Sequence, residues 1–285
     1  MWGMLVLVVL WAFGGVVREH YMLHHWLDHR GVSSPPKLRI ALLVPVISTR
    51  ERSEADAPLF IAMLPSLLPT LELDKYNYSV FLGFDYGDRL YDNATNLLTI
   101  QERFKYFTSG KISLQTFGFN GTRGAPCWVW NGLAKLAHEQ GFDYFYQIND
   151  DLRFMVSGWL FRLVRFKPWT SMFISTLSKT GNIGVVGPQE VRNRNFILTQ
   201  SFVHRTHYDI FQSYYPIEFK NWYSDDWITK VYGKQETTVL NQFRASNGVR
   251  GGSRYVVDDA EEILEPLVNA GREKIAEYKR QHQVL

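Results

Sequence analysis

The segment Tyr144-Phe145-Tyr146-Gln147-Ile148-Asn149-Asp150-Asp151 constrains the fold of this chain more than any other, because an aromatic and apolar run ends abruptly in two adjacent carboxylates. An unbroken apolar run this short reads as a strand buried on both faces, the kind found in parallel sheets covered by helices. Carboxylates are rarely buried without a partner, so a pair at a strand's end belongs to a solvated turn or to a binding edge. Asn and Asp are common turn formers, and the triplet taken alone favours a turn over a site.

The flanking sequence extends the layered pattern. Residues 38–46 form an apolar run closed by Pro45, residues 59–68 have helical spacing, and residues 78–84 and 112–117 read as further strands. Residues 128–140 place Trp128, Val129, Leu133, Leu136 and Ala137 on one helical face and stop at Gly141. This βαβ alternation implies right-handed crossovers and a parallel sheet. Ligands of such sheets bind outside the carboxyl ends of the strands, where Pro45, Asp85 and Asp150-Asp151 all fall.

Downstream the pattern is weaker. Residues 159–166 read as helical, 183–186 as a short strand, and 202–211 carry His204 and His207. The chain then loosens into loops and closes with a charged amphipathic helix over 256–281, with Ile263, Leu267, Ile275 and Tyr278 on its apolar face. The expected fold is α/β, a single Rossmann-type domain with a mostly parallel central sheet. A pair of histidines three apart would meet on a helix and diverge on a strand, and without a third ligand the two are not assigned to a metal.

The N-terminus adds a membrane expectation. Residues 1–17 are almost wholly apolar, close to the roughly 17–25 residues of a membrane span, and no basic residue precedes them as in a secretory signal. A signal anchor is expected first and a cleaved signal peptide, giving a secreted protein, second. Residues 18–37 read as a stem ending in Ser33-Ser34-Pro35-Pro36, residues 38–258 as the globular domain, and 259–285 as a C-terminal helix packed on it. Asn77, Asn93 and Asn120 each begin a glycosylation acceptor tripeptide, which fits a lumenal domain in the Golgi or endoplasmic reticulum.

Composition narrows the classes. The net charge of +3 comes from scattered basic residues rather than a stripe, which argues against nucleic-acid binding. Cys127 is the single cysteine, so an intrachain disulfide is impossible and the fold rests on its core. No P-loop, GxGxxG or Gly-x-Ser-x-Gly elbow is present, and the readings those motifs carry lack their signatures.

With the elements in this order, residues 141–151 resemble the DXD region of GT-A-fold nucleotide-sugar glycosyltransferases. The resemblance implies that Asp151 binds Mn²⁺ or Mg²⁺, that Asn149 or Asp150 meets the donor's ribose, and that Pro45, Val46 and Asp85 hold the base. Asn149 departs from the Asp-X-Asp form. Arg123, in the Gly121-Thr122-Arg123-Gly124 loop, is a further candidate for a phosphate or base contact, against the commoner case of an exposed loop arginine. Gly251-Gly252-Ser253-Arg254-Tyr255 is either a loop over the diphosphate or a plain turn.

A second cluster, Phe219-Lys220-Asn221-Trp222-Tyr223-Ser224-Asp225-Asp226-Trp227-Ile228, is similar to the acid-rich segment that supplies the catalytic base in inverting members, particularly the N-acetylglucosaminyltransferase I group. On that likeness Asp226 is the first candidate for the base and Asp225 the alternate, with the tryptophans able to stack on an acceptor sugar. The bland alternative is a helix start, since Ser224, Asp225 and Asp226 precede an apolar pair. The expected activity is metal-dependent transfer of a sugar from a nucleotide-diphosphate donor to a hydroxyl of a glycan, glycoprotein or glycolipid, with inversion favoured. Two competitors stand beside it: a non-catalytic carbohydrate-binding or scaffold protein, and a sugar nucleotidyltransferase, whose Gly-rich loop is missing at residues 48–52.

Overall fold

The computed structural model describes residues 36–48, 53–155, 169–191, 197–248 and 255–283. The expected anchor over 1–17 and the helix over 159–166 lie outside them. Contacts divide the chain between Lys37 and Leu38, and every element below belongs to the unit that starts at Leu38. Among the described residues no helix is long and apolar enough to cross a membrane.

Eight strands form one sheet: β1 (Arg39–Pro45), β2 (Asn77–Asp85), β3 (Ser113–Phe119), β4 (Tyr144–Gln147), β5 (Arg153–Met155), β6 (Val185–Glu190), β7 (Ser201–His204) and β8 (Thr237–Ser246). Their order is β3-β2-β1-β4-β7-β6-β8-β5. The β1–β2, β2–β3, β1–β4 and β6–β8 pairs are parallel, and β4–β7, β6–β7 and β5–β8 are antiparallel. The fold is thus mixed α/β around a mostly parallel sheet, as its alternation implied. The chain winds from β1 out to β3 and returns to β4 on the other side of β1, so the winding reverses between those two strands. A crevice opens outside the carboxyl ends of the strands at such a reversal.

Both faces of the sheet are covered, which is why β1 and β2 read as continuous apolar runs. Ile40, Leu42 and Val44 of β1 enter one core, while Ala41 and Leu43 enter the other. Over the first face lie α1 (Leu64–Leu67), α2 (Ala94–Thr108) and, through Trp169 and Phe173, α4 (Trp169–Ser178). The second face carries α3 (Pro126–Glu139), α5 (Thr206–Phe211), α6 (Ser224–Val231) and α8 (Glu261–His282), with the short α7 (Gly233–Glu236) beside α6. Helix α3 starts on Pro126, whose missing N–H costs nothing in a first turn, and stops at Gly141 with φ 74°.

Three expectations need correction. The stretch read as loops contains β8, whose ten residues are mostly half-buried and follow no simple alternation. Pairing with β6 and β5 holds this strand, and such pairing leaves little trace in local pattern. Helix α8 starts at Glu261 rather than 256, because the preceding residues are drawn out against Asn221, which accepts from the Asp258 amide at 3.0 Å. Its buried row is Leu264, Val268, Gly271 and Ile275, whereas Ile263 is exposed.

Gly271 sets that row, since a Cβ there would lie 2.5 Å from Val231 Cγ2 on α6. Gly271→Ala is therefore expected to destabilise the fold by about 1–3 kcal/mol despite alanine's better helix propensity. Urea unfolding followed by circular dichroism measures it, and an unchanged midpoint would contradict this packing.

Candidate functional site

The register brings the sequence-predicted strand ends to one edge. Pro45 pairs with Gly83, Leu43 with Gln147, and Asp85 with Phe119, so β1, β2 and β4 finish side by side. The Val46 amide donates to Gly83 O at 2.8 Å and the Ile148 amide to Leu43 O at 3.2 Å, carrying the ladder just past the strands.

A cleft opens there. Pro45, Val46 and Ile47 form one wall, Asp85 and Asn149 project from the neighbouring strand ends, and Thr122, Gly124, Pro126, Val129 and Tyr255 complete it. Apolar walls with a few convergent polar groups suit a flat ring bearing hydroxyls. The Thr122 hydroxyl donates to Asp85 Oδ1 and fixes that carboxylate at the cleft. Nearby, Asp88 accepts from Ser48 N at 2.8 Å and Ser48 Oγ at 3.0 Å, and from Leu90 N and Tyr91 N at 2.9 Å each. One carboxylate thus braces the loops that follow β1 and β2.

The acidic triplet is both turn and site edge. The Leu152 amide donates to Asn149 O at 3.2 Å, closing a turn with Asp150 and Asp151 at its centre. Asn149 lines the cleft, Asp150 is fully buried and Asp151 half-buried. Of the two residues offered for the ribose side, Asn149 is the one at the cleft wall. Arg123 is exposed between Thr122 and Gly124 and is not part of the lining.

The second cluster docks on the same region through Asn221, a residue that sequence reasoning passed over. Its Nδ2 donates to Gly124 O at 2.9 Å and to Val256 O at 3.0 Å, and its Oδ1 accepts from Trp222 N at 2.8 Å and Asp258 N at 3.0 Å. Its own carbonyl accepts from Ser224 Oγ at 3.1 Å and Cys127 Sγ at 3.6 Å, and the Cys127 amide donates to Lys220 O at 3.0 Å. Gly124 and Pro126 line the cleft, so the acid-bearing helix is fastened to its rim. The local signal is a single asparagine in an aromatic run, which resembles any turn residue.

Helix α6 begins at Ser224, as the helix-start reading of Ser224-Asp225-Asp226 expects; Tyr223 ahead of it takes a left-handed φ of 65°. Trp227 is 1% exposed and packs in the core, which removes it as an acceptor platform, whereas Trp222 is 51% exposed. Burial, then the charges of Asp226 and Glu190, push the Asp225 carboxyl up to about 7. Burial also raises Asp226, with Lys230 opposing. Of the two candidate acids, Asp225 is thus the one brought near neutral pH.

His204 ends β7 and His207 sits in α5, so the two share no element. His207 Nε2 donates to Tyr214 O at 2.8 Å, and Nδ1 accepts from the Tyr232 hydroxyl at 2.7 Å. Burial pulls both imidazoles down to about 4. Among the described residues no group of three or more His, Cys, Asp or Glu side chains could hold a metal.

No family model matches the chain, and no curated protein matches it. Among solved structures, S. aureus TarS has 10% identity and a TM-score of 0.46 over 73% of this chain, which spans 37% of TarS. A Bacillus anthracis protein described as a glucose-1-phosphate thymidylyltransferase, solved with sucrose, has 10% identity and a TM-score of 0.47, covering 84% of this chain and 96% of its own. The UTP-bound UGPase of Acinetobacter baumannii has 13% identity and a TM-score of 0.32, covering 55% of this chain and 57% of its own. Likeness at this level carries no activity to this chain.

Because the fold holds the Asp225 proton more tightly than the unfolded chain does, stability falls as pH rises from the ordinary 3.8 to about 7. Asp225→Asn removes that penalty. It should raise Tm at pH 8 by roughly 2–4 °C, on the order of 1 kcal/mol, and by less than half as much at pH 5, where only part of that pH window has been crossed. Scanning calorimetry at the two pH values checks it; an equal effect at both would show that the carboxyl titrates elsewhere.

Proposed function

We propose that this protein is a glycosyltransferase that moves a sugar from a nucleotide-diphosphate donor to an acceptor hydroxyl with inversion. The observation that carries the reading is the cleft at the strand reversal, whose rim is fastened by Asn221 to the helix bearing Asp225. Pro45, Val46 and Ile47 would face the base, and Asp85 and Asn149 the base edge and ribose. In the transfer step the acceptor oxygen bonds to the anomeric carbon as the bond from that carbon to the diphosphate oxygen breaks. Asp225 takes the proton from the attacking hydroxyl, for which a carboxyl near 7 is suited at neutral pH.

A divalent cation fits on the chemistry of the groups present. Asp151 offers a hard oxygen at the half-buried turn beside Asn149, and Mn²⁺ or Mg²⁺ needs only one or two protein carboxylates when substrate phosphates complete the shell. Bound there, the ion would neutralise charge on the departing diphosphate. Asp150 is fully buried in the same turn.

The lumenal setting is part of the same reading. Asn77, Asn93 and Asn120 are all exposed, and Asn93 caps α2 through Oδ1, accepting from Asn96 N at 3.1 Å. Expression in a glycosylating secretory host should add glycan mass at these three sites.

The decisive experiment is a thermal-shift panel of UDP- and GDP-sugars on the chain, with and without Mn²⁺. A metal-dependent rise in Tm of a few degrees for one donor is expected, lost in Asp151→Ala, followed by transfer activity at least 100-fold lower in Asp225→Asn. No protection by any donor would sink the transferase reading and favour a non-catalytic binding protein. Release of diphosphate from a nucleoside triphosphate and a sugar phosphate would instead identify a nucleotidyltransferase.

A further inference from the structure

A second cavity, of about 280 Å³, lies between α8 and the loop that joins α5 to α6, and it shares no lining residue with the cleft at the strand ends. Its floor is apolar: Phe211 and Trp227 are buried, their rings meet edge to face with centroids 5.2 Å apart, and the partly buried Leu267 of α8 completes it. The loop wall is fixed from α3. Asn131 Oδ1 accepts from Tyr214 N at 3.0 Å and Tyr215 N at 2.7 Å, its Nδ2 donates to Tyr215 O at 2.9 Å, and Trp128 Nε1 donates to Ile217 O at 2.8 Å. A site whose walls are already ordered binds without the entropy cost of forming them.

Two charged groups of opposite sign stand at this cavity unspent. Glu218 on the loop and Lys274 on α8 both line it, both are exposed, and neither makes a hydrogen bond or ion pair among the described residues. Charges close to them in sequence are engaged elsewhere: Lys220 pairs with Asp258 at 3.2 Å, and Glu277, one turn along α8 from Lys274, pairs with Arg280. A diphosphate would meet a single cation here and a repelling carboxylate beside it. The volume lies just below the roughly 300–1,000 Å³ of pockets for drug-sized ligands, so the ligand that fits is small, apolar in its body and charged with both signs.

We propose that the cavity binds a free aromatic α-amino acid, its ring against the edge-to-face pair of Phe211 and Trp227, its ammonium toward Glu218 and its carboxylate toward Lys274. Burial of the ring supplies the attraction, and the two charges supply selection, since a ligand with only one of them leaves the opposite wall unmatched. Trp227 is two residues from Asp225 on α6, so the cavity borders the helix that carries the candidate base. Occupancy of the cavity nevertheless stands apart from the transferase reading and is measured without it.

The test is a titration of the full-length chain with L-phenylalanine, followed through the indole NMR signals of its tryptophans. A saturable shift is expected with a Kd on the order of 0.1–1 mM, and hydrocinnamate and phenethylamine, which each lack one of the two charges, should bind about 5–10-fold more weakly. Glu218→Gln should weaken L-phenylalanine by a similar factor while leaving hydrocinnamate unchanged, and Lys274→Met should weaken L-phenylalanine while leaving phenethylamine unchanged. Both side chains are exposed, so neither variant should move Tm, and a change in folding would not produce the crossed pattern. Absence of a saturable shift overturns the proposal. Equal binding of the three probes, which would mark a purely apolar cavity, and variants that weaken every probe alike overturn it too. No donor sugar enters the titration, so failure of the donor panel leaves this result standing, and failure here leaves the panel standing.

Discussion

The side-chain amide of Asn221 is the joint on which the candidate site depends. An asparagine amide has two donors and two acceptor positions, and all four are spent here on Gly124, Val256, Trp222 and Asp258. Three segments distant in sequence are locked together: the turn before α3, the stretch before α8 and the loop before α6. Without that joint the cleft at the strand ends and the acid pair on α6 would be two unrelated features. With it, the cleft rim and the helix bearing the acid pair are held by one buried amide.

The sheet supplies the other half of the arrangement. Reversal of the winding between β1 and β4 leaves the strand ends uncovered at one place, and the register fixes which side chains arrive there. Thr122 then holds Asp85, and Asp88 braces the two adjoining loops. These contacts are local, but they act on residues that the sheet has already brought within reach. Asp225 is the electrostatic counterpart. Its carboxyl is raised mainly by burial, on a helix whose own N-terminal dipole would favour the charged form.

Strands buried on both faces write themselves into the sequence as short apolar runs, so β1 to β4 and α3 were legible from residue type alone. The same signal placed Pro45, Asp85 and Asp150-Asp151 at one edge. It failed where an element owes its form to distant partners. The half-exposed β8 pairs with β6 and β5 and carries no clean alternation, and the buried row of α8 follows Gly271 because Val231 approaches there. Trp222 and Trp227 look alike in sequence, yet one faces solvent and the other fills the core.

The chain by itself determined that an α/β sheet would form and that acids would stand at the carboxyl ends of its strands, because alternating apolar runs and helical periods are local properties of the residues. Which acid is raised to near neutral pH was decided by tertiary structure alone. The pKa of a carboxyl depends on what surrounds it, and Asp225 differs from its neighbour Asp226 first through burial and then through Glu190, which the fold brings to the same helix. Asn221 belongs to the same class, since its importance lies in four bonds across the fold that no local pattern encodes.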